Sequence, residues 1–225
     1  MTGYGRTGSV DIAGQTLLTR VDSFGKLGIT SFAYAFRGCT GLTSVPKTLP
    51  DSVTNMSYMF SGCRGDAFNP DVSNWDVRNV TNTAYMFDYC YGASFNPDVS
   101  KWNVSKIENM YRMFRNCYHA NFKGGRGVDG LGIGIANWIP KSLSTGATTG
   151  LSHFMLGARV QDAAYLDSIL NAWAALIGDP VNPLPANITA TFPANQPYNG
   201  SVSGIALAAL ANHGWVISTL VDAEA

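Results

Sequence analysis

Three histidines, four cysteines and a scatter of aspartates are the side chains of this 225-residue chain that could do covalent or metal chemistry. His119, His153 and His213 stand in different contexts, and none sits beside a Ser, Asp or Cys that recurs. A nucleophile, base and acid can be gathered from distant positions, so a missing local motif does not by itself exclude a triad. No odd cluster of polar residues marks such a site, however. Cys39, Cys63, Cys90 and Cys117 show no Cys-x-x-Cys and no paired-His spacing, the patterns that hold zinc. Asp71 and Asp98 are two carboxylates in matching contexts, but calcium takes several more oxygens, and each follows Asn-Pro, which is turn chemistry. GGRGVDGLGIG has Gly-x-Gly spacing without the preceding strand, following helix and later acid of a dinucleotide site, so it reads as a loop. No catalytic residue, metal or cofactor is assigned, and the chain is not expected to be an enzyme.

The chemistry that remains is recognition. Tyr58 and Tyr85, and Tyr91 and Tyr118, are pairs spaced by 27, joined by Tyr89, Tyr111 and His119. Tyrosine combines a large rigid ring with a polar tip, which suits contact with sugars or proteins. Periodic aromatics also pack into cores, so the spacing alone leaves both roles open. Lys+Arg and Asp+Glu balance at 15 each, and only 13% of residues are charged. That balance gives no overall electrostatic footprint for nucleic acid or acidic lipid. There is no apolar run of about 18 residues, so no membrane insertion is expected. The first residues lack a basic start followed by an apolar block, so no secretory signal is expected.

The elements that must position these tyrosines repeat. MFSGCRGDAFNPDVSNWDVRNVTNTAY (59–85) is followed by MFDYCYGASFNPDVSKWNVSKIENMYR (86–112), and MFRNCYHANF opens a third copy at Met113. The step of 27 holds at Met59, Met86 and Met113; at Cys63, Cys90 and Cys117; and at Phe68, Phe95 and Phe122. It also joins Asp71 to Asp98 and Trp75 to Trp102. Phe36 and Cys39 precede their equivalents by 24, which marks a shorter first repeat. A period of this length falls in the range of about 20–29 residues found in leucine-rich repeats, whose units bury their apolar side only against neighbours.

The predicted fold class is therefore an α/β repeat. It is a leucine-rich-repeat-like right-handed solenoid of short parallel strands and short helices with a helical C-terminal cap. Met56, Met59, Phe60 and Cys63 have helical spacing, with Thr54, Thr81 and Asn109 or their neighbours as caps. DVSNWDV and DVSKWNV alternate apolar and polar residues and are predicted as the strands. Cys39, Cys63, Cys90 and Cys117 form one column, expected to be buried free thiols. Trp75, Trp102, Asp71 and Asp98 complete the structural ladder.

Residues 1–22 are assigned to an N-terminal cap or lead segment and 23–158 to the repeats, with a Gly-rich insertion at about 123–135. That insertion moves the third tryptophan to Trp138, 36 after Trp102. Register returns at GLSHFMLGA (150–158), with Ala158 in the cysteine position. Residues 159–225 form the capping segment: an amphipathic helix over DAAYLDSILNAWAALIG, a proline-punctuated stretch, a second helix ending at Gly214 and the strand-like WVISTLV. A repeat array needs such an end piece, because its last unit would otherwise expose apolar surface and strand edge.

The combination of MFxxC, FNxDVSxWxVS and xNM over about residues 23–220 resembles the BspA-type leucine-rich-repeat surface proteins. The tail AAYLDSILNAWAAL with ANHGWVIS is similar to the segment that closes such arrays. The resemblance implies a surface-displayed or adhesive binding protein, and similar arrays occur in bacteriophages. A virion structural protein, as a capsid decoration or tail-associated component, fits a chain without a signal. Its expected partners are capsid or tail proteins and a host cell-surface protein or glycan, and a homo-oligomer is compatible with this reading. The alternative is a fragment of a secreted bacterial adhesin at the cell surface.

Overall fold

The computed structural model describes residues 4–5, 9–10, 13–25, 28–118, 122, 134–146, 149–158, 163–193 and 203–220. His119 and residues 123–133 of the Gly-rich insertion lie outside the described residues. Strands β1 (Tyr4–Gly5) and β2 (Ser9–Val10) form an antiparallel pair. A 3-10 turn covers Gly134–Asn137. Then come α1 (Ala163–Ala174), β3 (Thr189–Pro193), α2 (Ser203–Asn212) and β4 (Val216–Leu220).

Between these, residues 31–39, 55–63, 82–90, 109–117 and 150–158 lie one on the next as five rungs. Parallel bridges run Ser31 to Asn55, Asn55 to Asn82, Asn82 to Asn109 and Asn109 to Gly150. Hydrogen bonding alternates along each rung. In the second, the amides of Met56, Tyr58, Phe60 and Gly62 donate to the carbonyls of Asn82, Ala84, Met86 and Asp88 in the third, at 2.8–2.9 Å. The amides between them turn back three residues: Met59 to Met56, Ser61 to Tyr58 and Cys63 to Phe60. The Asn55 side chain accepts from the Ser57 amide at 2.9 Å, as Asn82 does from Ala84 and Asn109 from Tyr111. Every amide from Met56 to Cys63 thereby has a partner, as buried backbone requires.

These segments were predicted as short helices and are instead chains of tight turns. The cause is a left-handed residue every fourth position: Tyr34 and Gly38, Tyr58 and Gly62, Tyr85 and Tyr89, Arg112 and Asn116, His153 and Gly157 all have positive φ. Each ends one turn, and from Tyr34 to Asn116 each sends its own amide to the next rung, so no i to i−4 bonding can propagate. The inward set Met56, Met59, Phe60 and Cys63 is nonetheless fully buried. DVSNWDV and DVSKWNV, predicted as strands, are irregular, with turns at 73–74 and 100–101. Asp71 and Asp98 hold those turns by accepting from the Ser73 and Ser100 hydroxyls, each at 2.7 Å.

Equivalent side chains meet between rungs. Phe36, Phe60, Phe87 and Phe114 stack with centroids 5.6, 5.7 and 5.4 Å apart. Phe68, Phe95 and Phe122 form a second column at 5.9 and 5.6 Å. Trp75, Trp102 and Trp138 each donate an indole N–H to a carbonyl one rung back, of Pro46, Val72 and Val99. Trp138 lies 6.4 Å from Trp102 with the rings nearly parallel. At the far end β3 continues the parallel ladder through Leu151 and Ala190 and pairs in parallel with β4. There α1 buries Leu166, Ile169, Leu170 and Trp173.

All four cysteines are free and buried. Cys63, Cys90 and Cys117 donate to the carbonyls of Phe36, Phe60 and Phe87 at 3.0, 3.1 and 3.2 Å. Burial raises the pKa of each of these thiols well above its ordinary value. A thiol that keeps its proton in the folded chain and would lose it when unfolded stabilises the fold fully below about pH 8.5, and that contribution fades as pH rises beyond. The native protein is therefore expected to resist thiol-modifying reagents at neutral pH. Urea melts should show stability falling from about pH 8.5 upward, with a shallower fall in Cys90→Ala. A flat profile to about pH 10 would contradict the burial argument.

Candidate binding surface

The rungs present one outward column of bulky residues in left-handed backbone: Tyr34, Tyr58, Tyr85, Arg112 and His153, with φ of 63°, 57°, 58°, 54° and 53°. Glycine is the default in that region, and a side chain there costs roughly 1–2 kcal/mol. Stacking offsets the strain. Tyr34 lies on Tyr58 with centroids 4.5 Å apart, and Tyr58 on Tyr85 at 4.2 Å, both nearly parallel. Such contacts are worth about 0.5–1.5 kcal/mol each beyond the area they bury. In the fourth rung the order changes, and Tyr111 meets the edge of Tyr85 at 5.2 Å. His153 continues the row edge-on at 5.4 Å from Tyr111, its Nδ1 2.9 Å from the Ser152 hydroxyl.

A second column runs beside the first, with Tyr91 stacked on Tyr118 at 4.7 Å. Arg115, which lies over Tyr89, also acts on Tyr111, and Tyr89 acts on Tyr118, so a run of neighbours links the two columns. Tyr34 and Tyr118 are 43% and 44% exposed, Tyr58, Tyr85, Tyr89 and Tyr91 are half-buried, and Tyr111 is buried. Burial, followed by the neighbouring phenol of Tyr85, pushes the Tyr58 hydroxyl up from its ordinary value. Burial likewise raises Tyr111 and Tyr118.

Arginines line the same face. Arg37 lies beside the stacked Tyr34 and Tyr58, 6.0 and 5.9 Å from their ring centroids. Arg112 lies over Tyr85 and Tyr111 at 5.7 and 5.0 Å, and Arg115 over Tyr89 at 4.8 Å. Arg64 donates to the Tyr91 hydroxyl at 3.0 Å.

Of the residues singled out from sequence, Tyr58, Tyr85, Tyr89, Tyr91, Tyr111 and Tyr118 come together on this face. His119 lies outside the described residues. Tyr34 escaped the spacing argument because the first repeat is 24 long, although the same offset that aligns Phe36 with Phe60 would have found it. The arginines escaped because only Arg37 and Arg115 share a column, and Ser61 and Asp88 stand between them, so no run of identical residues reveals them. His213 is held by the Leu184 carbonyl at 2.9 Å. Among the described residues no three His, Cys, Asp or Glu side chains are grouped to hold a metal, and no helix is long and apolar enough to cross a membrane.

Residues 29–125 match the family model described as "Mycoplasma protein of unknown function, DUF285". That span contains the first four rungs and both tyrosine columns, and ends before the fifth rung. No curated protein and no solved structure matches the chain at a significant level.

Proposed function

We propose that the chain is a leucine-rich-repeat-like right-handed solenoid with a helical C-terminal cap, related to the BspA-type repeat surface proteins. We propose further that it works as a non-catalytic binding or display module on a bacteriophage virion, as a capsid decoration or tail-associated protein. Five hydrogen-bonded rungs support the architecture. The observation that carries the binding role is the tyrosine face, where bulky rings occupy left-handed positions that glycine would fill without strain. Tyrosine and arginine are the residue types that concentrate binding energy at protein interfaces. Three of the thiols are held on phenylalanine carbonyls, and Asp71 and Asp98 hold their own turns.

Mass spectrometry of purified particles tests the location, and the chain is expected among their stoichiometric proteins. Tyr34→Ala/Tyr118→Ala should keep the fold and lose attachment to the particle or to host surface. Particles that lack the chain would end the virion reading. The second reading is a fragment of a secreted bacterial adhesin at the cell surface. It predicts recovery in the surface fraction of cells and saturable binding to a host protein or glycan.

A further inference from the structure

Building on the binding role proposed above, we infer that the tyrosine face takes an acidic protein surface, one presenting clustered Asp and Glu carboxylates. The whole chain is neutral, with 15 Lys+Arg against 15 Asp+Glu, so a local excess of either sign is a product of folding. Arg37, Arg64, Arg112 and Arg115 all converge on the tyrosines, and the rungs there contribute one carboxylate, Asp88. Asp88 is consumed by Arg115, which it binds through both oxygens at 2.8 and 3.1 Å. Among the described residues no carboxylate lies within ion-pair distance of Arg37, Arg64 or Arg112. Asp66, two residues beyond Arg64, instead faces the Ala93 amide.

Arg112 adds an independent sign. Its Nε is buried, with no hydrogen-bond acceptor among the described residues, while its guanidinium lies over the rings of Tyr85 and Tyr111. A guanidinium held in this way keeps its planar fork ready for a carboxylate, and less side-chain freedom is lost on binding.

The stacking selects among anions. Both faces of Tyr58 are occupied, by Tyr34 and Tyr85, and one face of Tyr91 by Tyr118. Nucleic-acid bases need free ring faces to stack on, and a sugar ring lying flat on an aromatic needs the same. The stacked rings offer their edges, which carry the positive end of the ring quadrupole, together with hydroxyl and guanidinium donors. Such a surface complements carboxylates. The four cations gathered here are all arginine, and lysine, the compact point charge, takes no part.

Labelled poly-L-glutamate is the probe, followed by fluorescence anisotropy against the intact chain at low and high salt. Binding should be saturable, should weaken with salt, and should fall about tenfold or more in Arg37→Gln/Arg112→Gln, with the melting temperature checked to confirm folding. Lys101→Gln/Lys106→Gln, which changes exposed lysines outside the rungs, should bind as the parent does. No binding, equal binding by the arginine variant, or equal affinity for heparin or oligo(dT) would overturn the inference. Attachment to particles or cells that survives in Arg37→Gln/Arg112→Gln would remove the acidic partner while leaving the binding role in place. Loss of attachment only in the tyrosine variant would do the same.

Discussion

Replacing Asp88 with alanine is expected to destabilise the protein by about 3–5 kcal/mol, because it leaves a buried guanidinium without its counter-charge. Asp88 and Arg115 occupy the same column in adjacent rungs, with side chains 6% and 8% exposed. The geometry is bidentate, Nε to Oδ1 at 2.8 Å and a terminal nitrogen to Oδ2 at 3.1 Å, and the guanidinium also lies over Tyr89 at 4.8 Å. Two charges taken out of water recover their desolvation cost only through that fit, so removing one partner loses the recovery and keeps the cost. Removing both should be much milder. Asp88→Ala/Arg115→Met is expected to regain most of the loss, with urea midpoints compared at constant slope as the measure. A loss below about 1 kcal/mol in the single variant, or an equal loss in the double, would refute the buried-pair account.

The second large effect is expected from Gly92→Ala. A Cβ at Gly92 would lie 2.0 Å from the Gly65 carbonyl oxygen and 2.8 Å from its carbon, and one at Gly65 would lie 2.0 Å from the Thr40 oxygen. The obstacle is the backbone of the neighbouring unit, which no side-chain rotation relieves, so the units must part. A loss of about 3 kcal/mol or more is expected, at or above the upper end for overpacked sites. Gly62→Ala is the control. Gly62 has φ +73° but its nearest obstacle is 3.8 Å away, so only the left-handed backbone resists, at roughly 1 kcal/mol. Thermal and urea unfolding of the two variants separate these causes. Equal losses would mean that close approach is not what requires glycine at position 92.

The two substitutions differ in how far their targets could be foreseen. Gly65 and Gly92 are 27 apart, so repetition points to them, although nothing local says that the reason is space rather than φ. Asp88 and Arg115 are also 27 apart, yet they are unlike residues, and a search for identity passes over them. Ion pairs of this kind, and contacts such as those of Arg115 with Tyr89 and Arg64 with Tyr91, arise only when one unit is laid on the next.

Equivalence was legible in the primary structure because stacked units carry each residue onto its counterpart. Spacing alone aligned the cysteine, phenylalanine and tryptophan positions, including Trp138 beyond its insertion and Ala158 in the last unit. Backbone conformation was not legible. Burial at i, i+3, i+4 and i+7 is the pattern of a helix, but a chain of turns with one left-handed residue in four buries the same positions. The choice between them lies in where the amides of Tyr58, Phe60 and Gly62 find acceptors, and those acceptors are more than twenty residues away. Local charge was hidden for the same reason. A chain with balanced composition folds so that four arginines meet on one tyrosine face, and only long-range contacts bring them there.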